Sequence, residues 1–437
     1  MKNGKYAVGI VSLGFKVNQY ESEAIAEELE RRGFLICSPT EVCDAYVINT
    51  CTVTAESDRK ARQTIRRMIS RAPAAYILVT GCYSQAAPEA ISAISGVDYV
   101  CGNSNKMSVA DKLCELIEAG EKEVEINVED LASAPFEPMT ITKFDRTRAY
   151  VKIEDGCESK CTYCTIRNSR GPIRSKPFDL VIAEVRGLIE TGCREIVLTG
   201  IETGSYGVDL DDGQDLASLL CAVDKLDGIG RVRLGSLDPT VIKPAFVEKI
   251  KDLKSLAPHF HLSLQSGSDG ILALMKRKYN SRQAMRSIEL LRAAMPNVQF
   301  TTDIIVGFPH ETEEDFNLSC EFVKKARFLM VHAFPYSKRR GTPAATMDGQ
   351  LPESIKHERV LKLCAIRAEV RAAILDEKIN NGETVEVLFE SMEGGYAFGH
   401  TADFVEVKVK CEMNMHEQFK NVKLLSHDGN VCTGVFV

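Results

Sequence analysis

The sequence predicts an α/β chain of three units: an N-terminal doubly wound parallel sheet, a central partial TIM-like barrel and a small C-terminal β-barrel. Three observations lead there. Short apolar runs alternate with charged helical stretches over the first 130 residues. Six further strand–helix repeats run from about residue 146 to 376. Residues 383–437 hold only short alternating runs separated by turn residues. The expected units are 1–135, 143–375 and 376–437, and a chain of 437 residues suits about three domains.

In the first unit the strand patterns fall at 6–13, 45–49, 75–80 and 97–101, with helical patterns at 21–32 and 56–71. Alternating strands and helices imply a parallel sheet covered on both faces, with ligands beyond the carboxyl ends of its strands. Three peptides occupy that rim: Leu13-Gly14-Phe15, Asn49-Thr50-Cys51 and Thr80-Gly81-Cys82. From residue 120 to 148 the periodicity fades and Pro135 and Pro138 appear, which predicts a linker.

The second unit has strand patterns at 149–153, 195–198, 231–234, 259–264, 300–305 and 329–333. Barrel chemistry gathers at the strand C-termini. The peptides there are GCESKCTYC, TGIETGSYG, GSLDP, QSGSD, VGFPHET and FPYSKRRGTP. A helical stretch at 353–379 leads to the last unit, with strand patterns at 384–389, 404–409, 422–425 and 431–437. That is too small for a sandwich and suits a compact barrel of the kind that binds nucleic acid.

The chemistry centres on Cys157-x3-Cys161-x2-Cys164, directly after a predicted strand. Three such thiolates hold three corners of a [4Fe–4S] cube and leave the fourth iron vacant. That iron can chelate the amino and carboxylate groups of S-adenosylmethionine (SAM). One electron into the sulfonium then releases methionine and a 5′-deoxyadenosyl radical. A structural zinc takes four protein ligands at other spacings, and no partner Cys or His pair lies nearby. Fifteen cysteines, an odd number scattered mostly singly, argue against a disulfide framework. The net charge of −7 excludes a generally basic protein but not a local basic strip that meets phosphates. No stretch approaches the ~20 apolar residues of a membrane helix, and the N-terminus lacks a signal-peptide cleavage pattern. A cytoplasmic location is expected, with neither membrane nor DNA as partner.

The Cys-x3-Cys-x2-Cys loop on the first barrel strand resembles the radical SAM superfamily. The order of rim-cysteine domain, radical domain and small barrel resembles its methylthiotransferases, over essentially the whole chain. Their LGCKVN, NTC and TGC motifs stand here as Leu13-Gly14-Phe15-Lys16-Val17-Asn18, Asn49-Thr50-Cys51 and Thr80-Gly81-Cys82. GIETGSYG (200–207) and FPYSKRRGTPAA (334–345) look most like the branch acting on threonylcarbamoyladenosine in tRNA. The branches acting on isopentenyladenosine or on a ribosomal-protein aspartate look less similar. The resemblance implies SAM, a radical cluster on Cys157, Cys161 and Cys164, and a second, sulfide-carrying cluster on rim cysteines that include Cys51 and Cys82. It also implies an RNA-binding TRAM barrel, tRNA as partner and an electron donor such as flavodoxin or ferredoxin. The implied reaction replaces a C–H bond by methylthio at C2 of modified adenosine 37, beside the anticodon. Acid–base groups cannot open such a bond, so cofactors carry the chemistry.

At position 15 the family pattern has cysteine and this sequence has phenylalanine, which cannot donate to iron. Cys37, Cys43 and Cys101 are possible substitutes, and Cys101 is the best placed because it ends the next predicted strand. A phenyl ring at the strand end would also take up space beside a cube. Three readings stay open: a variant with a weakened cluster, a homologue that lost sulfur insertion, or a deliberate or erroneous substitution.

Other candidates each have a plainer counterpart. Gly200, Gly204, Gly207 and Gly307 let backbone approach SAM, or merely serve sharp turns. Gln265 and Ser266 are candidate SAM contacts. Arg59, Lys60, Arg62, Arg66, Arg67 and Arg71 form one basic helix that is either a solvated face or an RNA contact. Lys276-Arg277-Lys278 and Lys338-Arg339-Arg340 are better RNA candidates. Phe398, His400 and Phe404 either stack on bases or fill the small barrel. The eight histidines form no ligand cluster in the sequence. The small barrel is expected to be separable, its removal sparing SAM cleavage.

Overall fold

Six strands, β1 (Ala7–Ser12), β2 (Leu35–Cys37), β3 (Ala45–Thr50), β4 (Tyr76–Gly81), β5 (Tyr99–Cys101) and β6 (Glu125–Asn127), form one parallel sheet. They are seen in a computed structural model that describes residues 4–120, 123–144 and 146–437. The order β2-β1-β3-β4-β5-β6 reverses between β1 and β3, and there a crevice opens beyond the strand ends. The central β3 is buried at every position, as a parallel strand covered on both faces must be. Helix α1 (Lys16–Arg31) follows β1, α2 (Ala55–Arg71) follows β3 and the short α3 (Cys82–Ala86) follows β4. Thr54 caps α2 by accepting from Ser57 N at 3.1 Å, and Glu56 and Asp58 in its first turn suit the helix dipole.

The stretch from 120 to 148 is not the loose tether that its composition predicts; its residues 121, 122 and 145 lie outside the described ones. Part of it is β6, paired with β5. Met139 and Ile141 are buried in the barrel core. Met139 O accepts from Tyr20 Oη at 2.6 Å, and Glu137 accepts from Met107 N at 2.8 Å. A polar, proline-bearing sequence hides these anchors because they have no period.

The central unit opens with β7 (Arg148–Lys152) and with β8 (Glu154–Asp155), which pairs antiparallel with β9 (Arg174–Ser175). Strands β10 (Glu195–Thr199), β11 (Arg231–Leu234), β12 (Ser236–Leu237), β13 (His259–Gln265), β14 (Gln299–Val306) and β15 (Met330–Pro335) follow. They form two parallel sheets, β11-β10-β7 and β12-β13-β14-β15; β11 matches the expected strand at 231–234, while β12 lies in the GSLDP peptide expected to be rim. This is an open, partial barrel, as expected. Alternation decides its faces. Phe260, Leu262, Leu264, Phe300, Ile304, Val306 and Val331 enter the core. The alternate residues of β13–β15 give the lumen a polar wall. Tyr20 and Ala24 of α1 join the same core, so the first unit packs against the barrel.

The last unit is a closed barrel of β16 (Thr384–Glu393), β17 (Tyr396–Thr401), β18 (Glu406–Lys410), β19 (Phe419–His427) and β20 (Cys432–Phe436). β17 escaped the sequence reading. It follows β16 through a hairpin at Gly394-Gly395, both at positive φ. The helix Glu353–Asn380 runs unbroken across residues 375 and 376, with Leu363 in the central core and Ile374 and Leu375 in the small barrel's core. The small barrel docks on the N-terminal ends of β7, β10 and β11. Arg233 donates to Ala402 O at 3.1 Å, and Arg231 donates to His400 O at 3.3 Å. Phe404 stacks between His259 and His400, at 4.6 and 5.0 Å between ring centroids.

Candidate active site

The loop bearing Cys157, Cys161 and Cys164 leaves β8 and re-enters the fold through the helix Ile166–Arg170. Its middle is pinned from outside. Thr162 N donates to Met275 O at 3.1 Å, and Ala344 N donates to Thr162 O at 2.9 Å. Each sulfur has one N–H donor: Ser159 N to Cys157 Sγ and Ile166 N to Cys164 Sγ at 3.4 Å, and Arg277 to Cys161 Sγ at 3.1 Å. Burial pushes the Cys164 thiol up to about 12 and also raises Cys157. Such thiols ionise only when a metal takes the proton's place. One loop thus presents three thiols, each with its own N–H donor, and a structural zinc takes four protein ligands; the donor set fits a cluster bound at three corners.

The N-terminal rim faces this loop. Its three peptides are knitted together: Leu13 N donates to Asn49 O at 2.8 Å, and Asn18 Nδ2 donates to Asn49 Oδ1 at 3.1 Å and Thr50 O at 3.0 Å. Gly81, at φ +101, lies where a Cβ would sit 2.4 Å from Thr50 O, so no other residue fits. Burial, with Cys82 nearby, raises the Cys51 thiol. Phe15 caps α1 with its ring 61% exposed, so it neither supplies a donor nor fills the crevice. Cys101 is fully buried in the helix-covered core, beside Thr80 and Ser108. Cys43 precedes β3, at the opposite edge of the sheet from Cys51, and Cys37 pairs with Gly9 well short of the rim. The rim thus gathers two thiols, Cys51 and Cys82. A cube held like the first one does not fit them.

One buried guanidinium joins the two sites. Arg170, at the end of the helix after Cys164, donates to Cys82 Sγ at 3.1 Å and to Asn18 Oδ1 at 3.0 Å. It also pairs with Glu21 and with Asp155. Burial would raise the Glu21 carboxyl, but Arg170, Lys106 and Lys152 hold it well below its ordinary value. Further along, Thr165 donates to Thr52 O at 3.4 Å, and Arg339 donates to Thr52 Oγ1 at 2.8 Å and Asp58 at 2.7 Å.

Residues 151–323 match the family described as the Radical SAM superfamily, and residues 7–102 match Uncharacterized protein family UPF0004. Threonylcarbamoyladenosine tRNA methylthiotransferase MtaB of Bacillus subtilis is 37% identical over 438 residues, spanning 98% of this chain and 96% of the relative. The protein of the same name from Thermotoga maritima is 41% identical, over 81% of this chain and 80% of its own. This chain belongs to the radical SAM methylthiotransferases. Its fold is shared with the radical S-adenosylmethionine methyltransferase TsrM of Kitasatospora setae, solved with cobalamin and a [4Fe-4S] cluster. The TM-score is 0.56 at 16% identity, covering 78% of this chain and 77% of that one.

Several other positions in this methylthiotransferase are explained by the protein's own packing. A Cβ on Gly200 would meet Glu154 Oε2 at 2.6 Å, and one on Gly204 would meet Val241 Cγ2 at 2.3 Å. Ser266 is fully buried, with its hydroxyl on Ser319 Oγ and Ser268 N at 3.2 Å, turned away from the lumen. Gln265 ends β13 on the lumen face at φ +70, a strained conformation in a non-glycine residue. The basic triplets are split: Lys276, Lys278, Lys338 and Arg340 are exposed, while Arg277 and Arg339 turn inward. His400 and Phe404, read as base-stacking candidates, are spent on the docking interface. Arg170 and Glu21 were missed, because lone charged residues outside any motif carry no pattern, whereas Arg277, expected to meet RNA, serves Cys161 instead. Glu202 was missed too; burial and Asp238 raise its carboxyl to about 7.

Proposed function

We propose that this chain transfers a methylthio group to C2 of N6-threonylcarbamoyladenosine 37 in tRNA. The observation that supports this most is the facing of two sulfur-bearing rims, Cys157/Cys161/Cys164 and Cys51/Cys82, joined through Arg170. The names of the relatives supply the substrate class. When bound, the cluster on Cys157, Cys161 and Cys164 and SAM together supply a radical able to break an inert C–H bond. The protein's own residues hold the thiolates with three N–H donors and hold the two domains in one wall. Lys60, Arg66 and Arg67 on α2, with Lys276, Lys278, Lys338 and Arg340, are the exposed cations that would meet the tRNA backbone. A flavodoxin or ferredoxin as electron donor, a cytoplasmic location and the units 1–135, 143–375 and 376–437 belong to the same reading. No helix among the described residues is long and apolar enough to cross a membrane.

The test is anaerobic reconstitution with SAM, a reductant and bulk tRNA, followed by nucleoside mass spectrometry. The reading requires methylthiolated threonylcarbamoyladenosine; a methylthiolated isopentenyladenosine or ribosomal protein would transfer the chain to another branch. Phe15 favours one second reading, an RNA-binding homologue that cleaves SAM but inserts little sulfur. In that case 5′-deoxyadenosine forms without the modified nucleoside.

A further inference from the structure

Eight histidines scattered along the chain gave no ligand pattern, but strand register brings two of them together with a carboxylate. β13, β14 and β15 are adjacent and parallel. Their pairing sets His261 opposite Thr301 and Asp303 opposite His332. Since Phe260, Leu262, Ile304 and Val331 enter the core, alternation turns His261, Asp303 and His332 to the lumen. His261 Nε2 lies 3.4 Å from Asp303 Oδ2, and the rings of His261 and His332 stand 6.0 Å apart at 42°. One ligand atom from each of the three falls within 4.8 Å of the others.

We propose that His261, Asp303 and His332 form a two-histidine, one-carboxylate site for a divalent first-row cation of the Zn2+ or Fe2+ kind, inside the barrel lumen and separate from the cysteine sites. Nitrogen and oxygen ligands about 2.1 Å from such an ion stand about 3.4 Å apart in tetrahedral geometry, the separation found between His261 and Asp303. His261 Nδ1 lies 2.9 Å from Thr301 Oγ1, which orients the ring with Nε2 toward Asp303, the outer hydrogen bond that metal-binding imidazoles use. Burial lowers His332; Asp303 opposes this, and His261, Arg367 and Lys16 add to it. Three ligands on one wall leave the remaining positions open to the lumen, where water or an oxygen of a bound molecule completes the shell. Imidazole and carboxylate suit these ions, while thiolate-seeking iron–sulfur assembly is directed elsewhere.

The test uses the full-length protein with its iron–sulfur content already filled, equilibrated anaerobically with zinc chloride or cobalt chloride, then desalted. Elemental analysis should show one zinc per chain beyond the iron. His332→Ala and Asp303→Asn should each lose that zinc, with affinity weakened at least about tenfold. His332 is exposed and Asp303→Asn is isosteric, so iron content and circular dichroism should stay unchanged in both. The cobalt-minus-zinc difference spectrum, in which the iron–sulfur absorption cancels, should show the bands of a nitrogen–oxygen site without thiolate-to-cobalt charge transfer, and zinc should raise the Tm of the unsubstituted chain only. Retention of the extra zinc in either variant, or a thiolate-to-cobalt band in that difference spectrum, overturns the assignment.

Discussion

Phenylalanine at position 15 changes what the N-terminal rim can hold. Its neighbours are fixed to the rim: Gly14 lies against Cys51, and Asn18 is locked to Asn49. The ring itself points to solvent, which leaves two thiols where a cube needs its irons tied down. Anaerobic reconstitution of the chain as written should yield about four irons, and Phe15→Cys about eight, with sulfur transfer rising in step. Equal iron in both forms would mean that a non-cysteine group serves as ligand. At the other loop the three thiolates are all required. Cys157→Ala, Cys161→Ala and Cys164→Ala should each abolish 5′-deoxyadenosine formation, because two thiolates hold a cube poorly. Turnover of SAM by any of them would refute the assignment.

At the scale of the element, α2 shows how one helix serves two purposes. Ala61, Ile65 and Met68 face the sheet, while Lys60, Arg66 and Arg67 face solvent. Arg59 is paired with Glu56, and Arg62 donates to Tyr83 Oη at 2.7 Å, so these two are less free to meet phosphate. Replacing Lys60, Arg66 and Arg67 together by Glu should lower tRNA affinity at least about tenfold. It should also flatten the salt dependence by about three counterions, with SAM cleavage in the absence of tRNA intact. Filter binding across a salt series reads both, and an unchanged slope would place the RNA elsewhere.

For the whole molecule, the interface beneath the barrel ties stability to pH. Glu195 is fully buried among Arg233, Arg148 and Arg231, at 3.0, 3.1 and 3.2 Å. Burial pushes its carboxyl up, but the three guanidiniums prevail and hold it at about 2 against an ordinary 4.5. A depressed acid stabilises the fold above its unfolded value and loses that contribution as pH falls, here between 4.5 and about 2. The loss should be about 3 kcal/mol. Glu195→Gln should remove that acid limb and destabilise the protein at pH 7 by about 3–5 kcal/mol, because it leaves buried cations unpaired. Denaturant melts across pH decide it; a parallel acid limb in the variant would refute the pairing. The same arginines bond Glu386, Glu390 and the carbonyls of His400, Thr401 and Ala402 in the small barrel. Removing the barrel would therefore expose these buried arginines.

Composition and period settled the elements whose side chains repeat. The four stronger strands of the first sheet, six of the seven parallel barrel strands and the long helix at 353–380 were legible because burial on fixed faces imposes a period of two or 3.6. The Cys157/Cys161/Cys164 loop was legible because its spacing is local. Tertiary structure alone decided what depends on distance between strands. β6 and the packed stretch after it have no period, and β17 is masked by glycine and small residues. Arg277 and Arg339 were indistinguishable in sequence from the exposed bases beside them until the fold turned them inward. His261, Asp303 and His332 lie 42 and 29 positions apart, and only the register of three parallel strands makes them neighbours. Spacing along the chain encodes a loop; spacing across a sheet exists only once the sheet has formed.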